Sequence, residues 1–382
     1  MTKVLGTACD IAEADAYQGR ILGGVSRTFA LTIPQLPADL RKVVTNAYLL
    51  CRIADTVEDE PALSAVQKTL LQERFLAVLR GEEMAQRFAR QVVPLLSPAT
   101  SPDERELVAN APLVVRCTHS LAAPQQQALV KCVSIMCRGM GHYQEQSSLE
   151  GLADLGEVDR YCYYVAGVVG EMLTELFCQH SGDIHAQRDE MLALAPSFGQ
   201  GLQLTNILKD LWDDRQRGVC WLPRREFQAF GVDVASLAPG RGDPEFATAL
   251  RYMVGMAHAH LRNAFRYTLM VPAKETGIRR FCLWAIGLAV LTLRRIAARP
   301  TYRTGRQVKV PRRTVKAAIA STRLATRHDG LLTLLFGGVT RGLPLETLGG
   351  PQPALSAWAL EPFDGDGASA AGHGLRLGND EE

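Results

Sequence analysis

The segment RKVVTNAYLLCRIADTVED, residues 41–59, decides how this chain is read. Its apolar residues recur at three- and four-residue steps, which predicts one helix. That helix carries Asp55 and Asp59 one turn apart, with Glu58 between them. Like charges at i and i+4 repel across a helix face by roughly a few tenths of a kcal/mol. A cation held at that face would remove the cost.

A second segment repeats the feature. In GLQLTNILKDLWDDRQRG, residues 201–218, Asp210 and Asp214 are again four apart. Asn206 lies at i−4 from Asp210 and Gln203 at i−7, so the polar groups share one stripe. Leu202, Leu204, Ile207, Leu208 and Leu211 take the other sides. A polar stripe on an apolar helix predicts a wall of an interior cavity. Taken singly, each aspartate pair reads as an exposed acidic face. Taken together, with no Lys or Arg at i+4 from Asp55 or Asp210, the two pairs call for an outside cation. Mg²⁺ suits them, because it is held by one or two carboxylates plus substrate phosphate oxygens. Two such clusters on facing helices would grip a diphosphate through several ions. Arg52, at i−3 from Asp55, and Lys209, beside Asp210, would either reach the outer oxygens of a leaving diphosphate or form ordinary salt bridges.

Composition sets the frame. With 382 residues, 47% of them hydrophobic and 21% charged, the chain can bury a large core. A net charge of +2 argues against commitment to nucleic acid, so any basic site is local. Nine cysteines, without a CxxC pair or zinc-finger spacing, read as small core hydrophobes of a reducing cytosol. The opening residues MTKVLGTACDIAEADAYQGR place acids where a secretory signal would be apolar, which predicts a cytoplasmic protein. The longest apolar run, FCLWAIGLAVLTL at residues 281–293, is short for a bilayer and stops at Arg294 and Arg295. It predicts a buried helix and no transmembrane anchor. Peripheral contact with a membrane is left open.

Helical periodicity dominates from about residue 36 to 340, and strand-like alternation is nearly absent. QQALVKCVSIMCRGMGHYQ, EVDRYCYYVAGVVGEMLTELFCQ, EFATALRYMVGMAHAHLRNAFRYTLM and GIRRFCLWAIGLAVLTLRRIAA each predict a helix, and another starts at about Pro196. The expected organisation is one domain over residues 1–344. Residues 345–382, rich in Gly, Ala, Pro and acid, read as a flexible tail. The GDGASA within it, with no strand before it, is a chance match to a nucleotide-binding pattern.

Four segments in order resemble the squalene/phytoene synthase family of head-to-head prenyl synthases. SRTFALTI (26–33) resembles the family's Ser-Arg-x-Phe opening, and YLLCRIADTVED (48–59) its first aspartate-rich motif. YCYYVAGVVG (161–170) resembles its Tyr-Cys-x-Tyr-Val-Ala-Gly signature, and LQLTNILKDLWDD (202–214) its second aspartate-rich motif. The resemblance implies an all-α isoprenoid synthase bundle with a central cavity. It also implies a first step joining two prenyl diphosphates through a cyclopropylcarbinyl diphosphate.

Carried onto this sequence, the resemblance makes Asp55, Asp59, Asp210 and Asp214 the Mg²⁺ ligands, joined by Asn206 and Gln203 at the substrate. Ser26, Arg27, Arg52 and Lys209 would hold the departing diphosphate. Tyr161 and Tyr48 would stand beside the reacting carbons, where a hydroxyl relays the proton lost on ring closure. Helix packing explains either tyrosine as well. Gly167 and Gly170 would admit a prenyl chain or a neighbouring helix. Phe29, Val165, Leu173 and Phe281 would wall off two isoprenoid tails, although ordinary core packing accounts for most of them.

Within the family, DTVED is nearer the squalene-forming branch, which implies two farnesyl diphosphates as substrates and a reduction by NADPH. Ala285 and Ile286 stand where that branch has a Pro-Gln pair, while RGVCWLPRREFQAFGV (217–232) resembles the phytoene branch. The basic stretch RPTYRTGRQVKVPRR (299–313) lies where squalene-forming relatives contact NADPH, with Lys309 and Arg312 suited to its phosphates. A solvated loop or a contact with anionic lipid is the other reading of that charge run.

Overall fold

The computed structural model describes residues 8–240 and 242–348. The main helices are α1 (Ala8–Val25), α2 (Ala38–Asp59), α3 (Ala65–Leu79), α4 (Ala85–Val92), α5 (Pro102–Ala109), α6 (Ala111–Ser120) and α7 (Ala123–Glu145). They are followed by α8 (Leu155–Cys162), α9 (Val168–His180), α10 (Arg188–Gln216), α11 (Pro244–Met270), α12 (Thr276–Ala298), α13 (Arg312–Ala325) and α14 (Asp329–Thr340). Among the described residues there is no β-strand, only an isolated bridge between Leu152 and Pro223. The all-α expectation is borne out.

The two long helices α10 and α11 lie side by side at the centre, with α9 and α12 against them. α2 packs on α1, α5, α6 and α7. Its length follows from an apolar surface that buries Leu40, Val43, Ala47, Leu50, Ile53 and Val57. It stops because Glu60 turns to extended backbone, where its carboxylate accepts the N–H groups of Ala62 (2.9 Å) and Ser97 (2.8 Å) and the hydroxyl of Thr100 (2.6 Å). Those bonds fix the end of α2, and so the direction of Asp55 and Asp59.

One π-helical turn, Tyr163–Gly167, joins α8 to α9. Such turns occur often at functional sites. Here the turn and α9 lie almost backbone to backbone on α10. A Cβ added at Gly170 would fall 2.1 Å from the Ala195 carbonyl oxygen, and one at Gly199 would fall 2.1 Å from that of Ala166. The small residues of the YCYYVAGVVG segment therefore admit a helix.

One expectation is corrected. α10 begins at Arg188, and Pro196 lies inside it. Burial of Met191, Ala195, Pro196 and Phe198 outweighs the one backbone hydrogen bond that proline forgoes. The apolar run 281–293 belongs to the longer α12, 23 residues, which by length and composition alone could cross a membrane. In the fold it is a core helix: Phe281, Cys282, Trp284, Ile286, Val290 and Leu293 are buried, and α10, α11 and α13 lie against it.

Eight cysteines from Cys51 to Cys282 are buried and free, in keeping with the sequence reading. After α14 the chain returns to α11, where His258 Nδ1 donates to the Pro344 carbonyl at 2.8 Å. Most of the segment read as a tail, residues 349–382 with GDGASA, lies outside the described residues.

Candidate active site

The last turns of α2 carry Arg52, Asp55, Glu58 and Asp59, and the second half of α10 carries Gln203, Asn206, Lys209, Asp210 and Asp214. Arg217, just past the end of α10, joins the two sets: its guanidinium lies 2.5 Å from Asp214 and 3.5 Å from Asp59. Residues far apart in sequence thus face one cleft. Their charges act on one another as that requires. Burial raises Asp214, Arg217 lowers it, and Asp210 and Asp59 raise it, with the net shift upward. Asp55 is pushed up to about 7 by burial, against Arg52 and with help from Asp59. The side chain is half-buried, with 31% of it still meeting solvent. Glu58 is raised by burial and by Asp59 and Asp55, which makes it a member of the acidic set that spacing alone did not assign.

The cations are more engaged than the i+4 rule suggested. Arg52 bridges Glu104 and, at 3.7 Å, Asp55. Lys209 Nζ lies 3.0 Å from Asp210 and donates to Asn206 Oδ1 at 3.1 Å. Each set is thus partly neutralised from i−3, i−1 or i+3, positions that the i+4 test does not examine. Arg217 was missed, and its only sequence signal was the i+3 step from Asp214. Glu104 carried none, because it lies 52 residues from Arg52.

Tyr161 is buried near these acids. Its ring stacks on Trp221 at 4.1 Å and 11° and meets Tyr143 edge-on at 5.2 Å. Burial first, then Glu58, Cys162, Asp214 and Asp59, raises its hydroxyl well above the usual value, so carboxylates of both sets act on it. Tyr48 is differently placed: its hydroxyl donates to the Val25 carbonyl at 3.1 Å, and its ring lies 5.0 Å from that of Phe29. Ser26 Oγ accepts the Phe29 N–H at 3.0 Å, while Arg27 is exposed beside it.

The basic stretch reaches the second acidic set. Tyr302 donates its hydroxyl to the Leu208 carbonyl, and a Cβ at Gly305 would fall 2.9 Å from Asp210 Oδ1. A side chain there would have to push the Asp210 carboxylate aside. Lys309 and Arg312 are exposed. Within the apolar core lies a cavity of about 10 Å³, lined by Leu173, Phe177, Phe198, Tyr267 and Phe281 among others. A wider hollow, about 540 Å³, is lined only by residues 185–190 and touches none of these groups.

The donor set fits Mg²⁺. It is all oxygen, and burial keeps the Asp55 and Asp214 carboxyls raised even against Arg52 and Arg217. Among the described residues no three acids, histidines or cysteines close on one point. Mg²⁺ takes one or two carboxylates from a protein and leaves its other positions to phosphate oxygens and water.

Known proteins share this fold. In fold, the chain is similar to a solved structure of TcSQS with the ligand BPH1237 (TM-score 0.66, 21% identity, covering 91% of this chain and 96% of that one). It is also similar to a dehydrosqualene synthase with ligand (TM-score 0.56, 18% identity, 83% and 97%). The bundle is therefore an isoprenoid synthase fold. The squalene/phytoene synthase family model matches residues 22–314, and the chain belongs to that family. Curated relatives include the squalene synthase of Eremothecium gossypii, 29% identical over 72% of this chain and 60% of that protein. The squalene synthase of Candida albicans is 28% identical over 79% and 66%. The chain spans about 60% of the length of such relatives.

Proposed function

We propose that this protein is a squalene synthase, a farnesyl-diphosphate farnesyltransferase. It would join two farnesyl diphosphates head to head through presqualene diphosphate and reduce the product with NADPH. The observation that carries the reading is the single cleft in which Asp59 and Asp214 meet on one guanidinium. The relatives named squalene synthase favour this branch.

Mg²⁺, when bound, supplies the charge that stabilises diphosphate as the carbon–oxygen bond breaks. Asp55, Asp59, Asp210 and Asp214, with Asn206, would hold it between them, and Gln203 would face the substrate. Arg52 and Lys209 exchange their carboxylate partners for outer diphosphate oxygens, and Ser26 and Arg27 at the end of α1 add donors. Tyr161 keeps its proton at neutral pH, so it donates a hydrogen bond toward the diphosphate and passes on the proton released at ring closure. Tyr48, tied to Val25, positions Phe29 and stands as the second tyrosine of the site. Phe29, Val165, Leu173 and Phe281 exclude water from the carbocation. Ligand pockets run to roughly 300–1,000 Å³, so side chains around the 10 Å³ cavity must move aside for prenyl tails.

NADPH supplies a hydride, and Lys309 and Arg312, exposed and without acidic partners among the described residues, suit its phosphates. The reading includes one synthase domain over residues 1–344 with a tail to 382, in the cytoplasm and in contact with membrane lipid. A second reading, phytoene or dehydrosqualene synthesis without reduction, draws on Ala285 and Ile286, which are buried on α12 in place of Pro-Gln. The test incubates the protein with farnesyl diphosphate and Mg²⁺, with and without NADPH, and identifies the hydrocarbon by mass. Squalene formed only with NADPH supports the proposal. Dehydrosqualene as the end product despite NADPH, or turnover only of a C20 substrate, overturns it in favour of the second reading.

A further inference from the structure

From Thr276 to His328 the chain has thirteen Lys and Arg residues and no Asp or Glu, within a protein whose net charge is +2. Arg279 is buried and Arg280 and Arg295 are half-buried; the other ten are exposed. None of the ten pairs with an acid among the described residues. Elsewhere the surface interleaves its charges, as in Arg20–Glu106, Lys42–Asp15, Arg74–Glu83 and Arg188–Glu175.

The helix that follows has the opposite character. α14 has no charged residue from Gly330 to Thr340, yet only Leu332 on it is buried. Its inner side packs through Leu332, Leu335 and Phe336, whose ring stacks on Phe265 at 4.3 Å. Its outer side presents Leu331 (41% exposed), Leu334 (71%), Gly330, Thr333, Gly337 and Gly338. The neighbouring α13 adds Leu324, 81% exposed, with Arg313 and Lys316 on its open surface. A surface helix normally turns charge outward. This pair turns leucines outward inside a ring of unpaired cations.

We propose that the α13–α14 face docks this protein on an anionic phospholipid bilayer, with Leu324, Leu331 and Leu334 entering the headgroup boundary and Arg313, Lys316 and Arg327 meeting lipid phosphates. The charge complementarity selects the occupant. Unpaired cations around an apolar face match an acidic headgroup layer over hydrocarbon, with each Lys or Arg adding attraction that salt screens. A second copy of this chain would bring the same positive ring against itself. The inference does not depend on the catalytic reading, because binding is scored without turnover.

The test is co-sedimentation of the full chain with vesicles of phosphatidylcholine containing roughly one-third phosphatidylglycerol, and with phosphatidylcholine alone. The proposal expects binding to the anionic vesicles that weakens at high salt. It also expects a loss of about ten-fold or more in L331S/L334S and again in R313Q/K316Q, both melting as the wild type does. Three results would overturn it: no binding to anionic vesicles, equal binding by both double variants, or self-association that L331S/L334S abolishes while vesicles are ignored.

Discussion

Replacing Arg217 by Gln removes the cation that Asp59 and Asp214 share. The Asp214 side chain is only 11% exposed, whereas Arg217 is 61% exposed. A charge-assisted hydrogen bond contributes roughly 1.5–3 kcal/mol, and the wet side of this one reduces that to about 1–2 kcal/mol. Over about 340 described residues, at roughly 2.1 cal/mol/K each, the entropy of melting is about 0.7 kcal/mol/K, so Tm in EDTA falls by about 2 °C. Mg²⁺ reverses the logic. In the wild type the ion must displace Arg217 from both carboxylates, and in Arg217→Gln it need not. The variant should bind Mn²⁺, followed by its spin resonance signal, about 5–30-fold more tightly, since 1.4 kcal/mol is a factor of ten. The Tm deficit should also vanish in saturating Mg²⁺. An equal deficit with and without Mg²⁺, together with unchanged Mn²⁺ affinity, would refute the shared-cleft reasoning.

Other predictions test the frame around the cleft. Gly170→Ala drives a methyl to 2.1 Å from the Ala195 carbonyl and forces α9 away from α10, so stability falls by about 3 kcal/mol in urea unfolding despite better helix propensity. Gly287→Ala, with open space around it, should gain about 0.5–1 kcal/mol in the same assay. Burial raises Glu60, but hydrogen bonds from Ser97, Thr100 and Ala62 lower it further, to about 2. A carboxylate so depressed contributes stability fully present above its unfolded value near 4.5 and lost as pH falls toward 2. The cost of Glu60→Gln, about 3 kcal/mol at pH 7, should therefore shrink across that window. Asp55→Ala and Asp210→Ala should each cut Mg²⁺-dependent diphosphate release by roughly a hundred-fold or more, while metal-free Tm holds or rises as repulsion is relieved.

What could be read in the sequence was what a single helix fixes. Asp55 and Asp59, or Asn206, Asp210 and Asp214, share a face because 3.6-residue geometry makes them do so, and the apolar residues around them had to be core. Pairings between distant segments leave no such trace: Arg217 meets Asp59, and Glu104 meets Arg52, only after folding. The π turn at Tyr163–Gly167 was hidden because it shifts the hydrophobic period by a single residue. Pro196 misled because local preference argued for a helix start, while packing on the neighbouring helices carried the helix through it. The small size of the core cavity, about 10 Å³, depends on side-chain rotamers that spacing does not encode.

The most direct test of a diphosphate clamped between two carboxylate walls is anomalous diffraction from crystals grown with Mn²⁺ and a non-reactive thio-analogue of farnesyl diphosphate. Manganese peaks bonded to Asp55 or Asp59 on one side and Asp210 or Asp214 on the other, with analogue phosphate oxygens between them and Arg217 displaced, are the predicted result. Peaks confined to one wall, or a diphosphate seated outside the cleft with Arg217 still bridging Asp59 and Asp214, would contradict it.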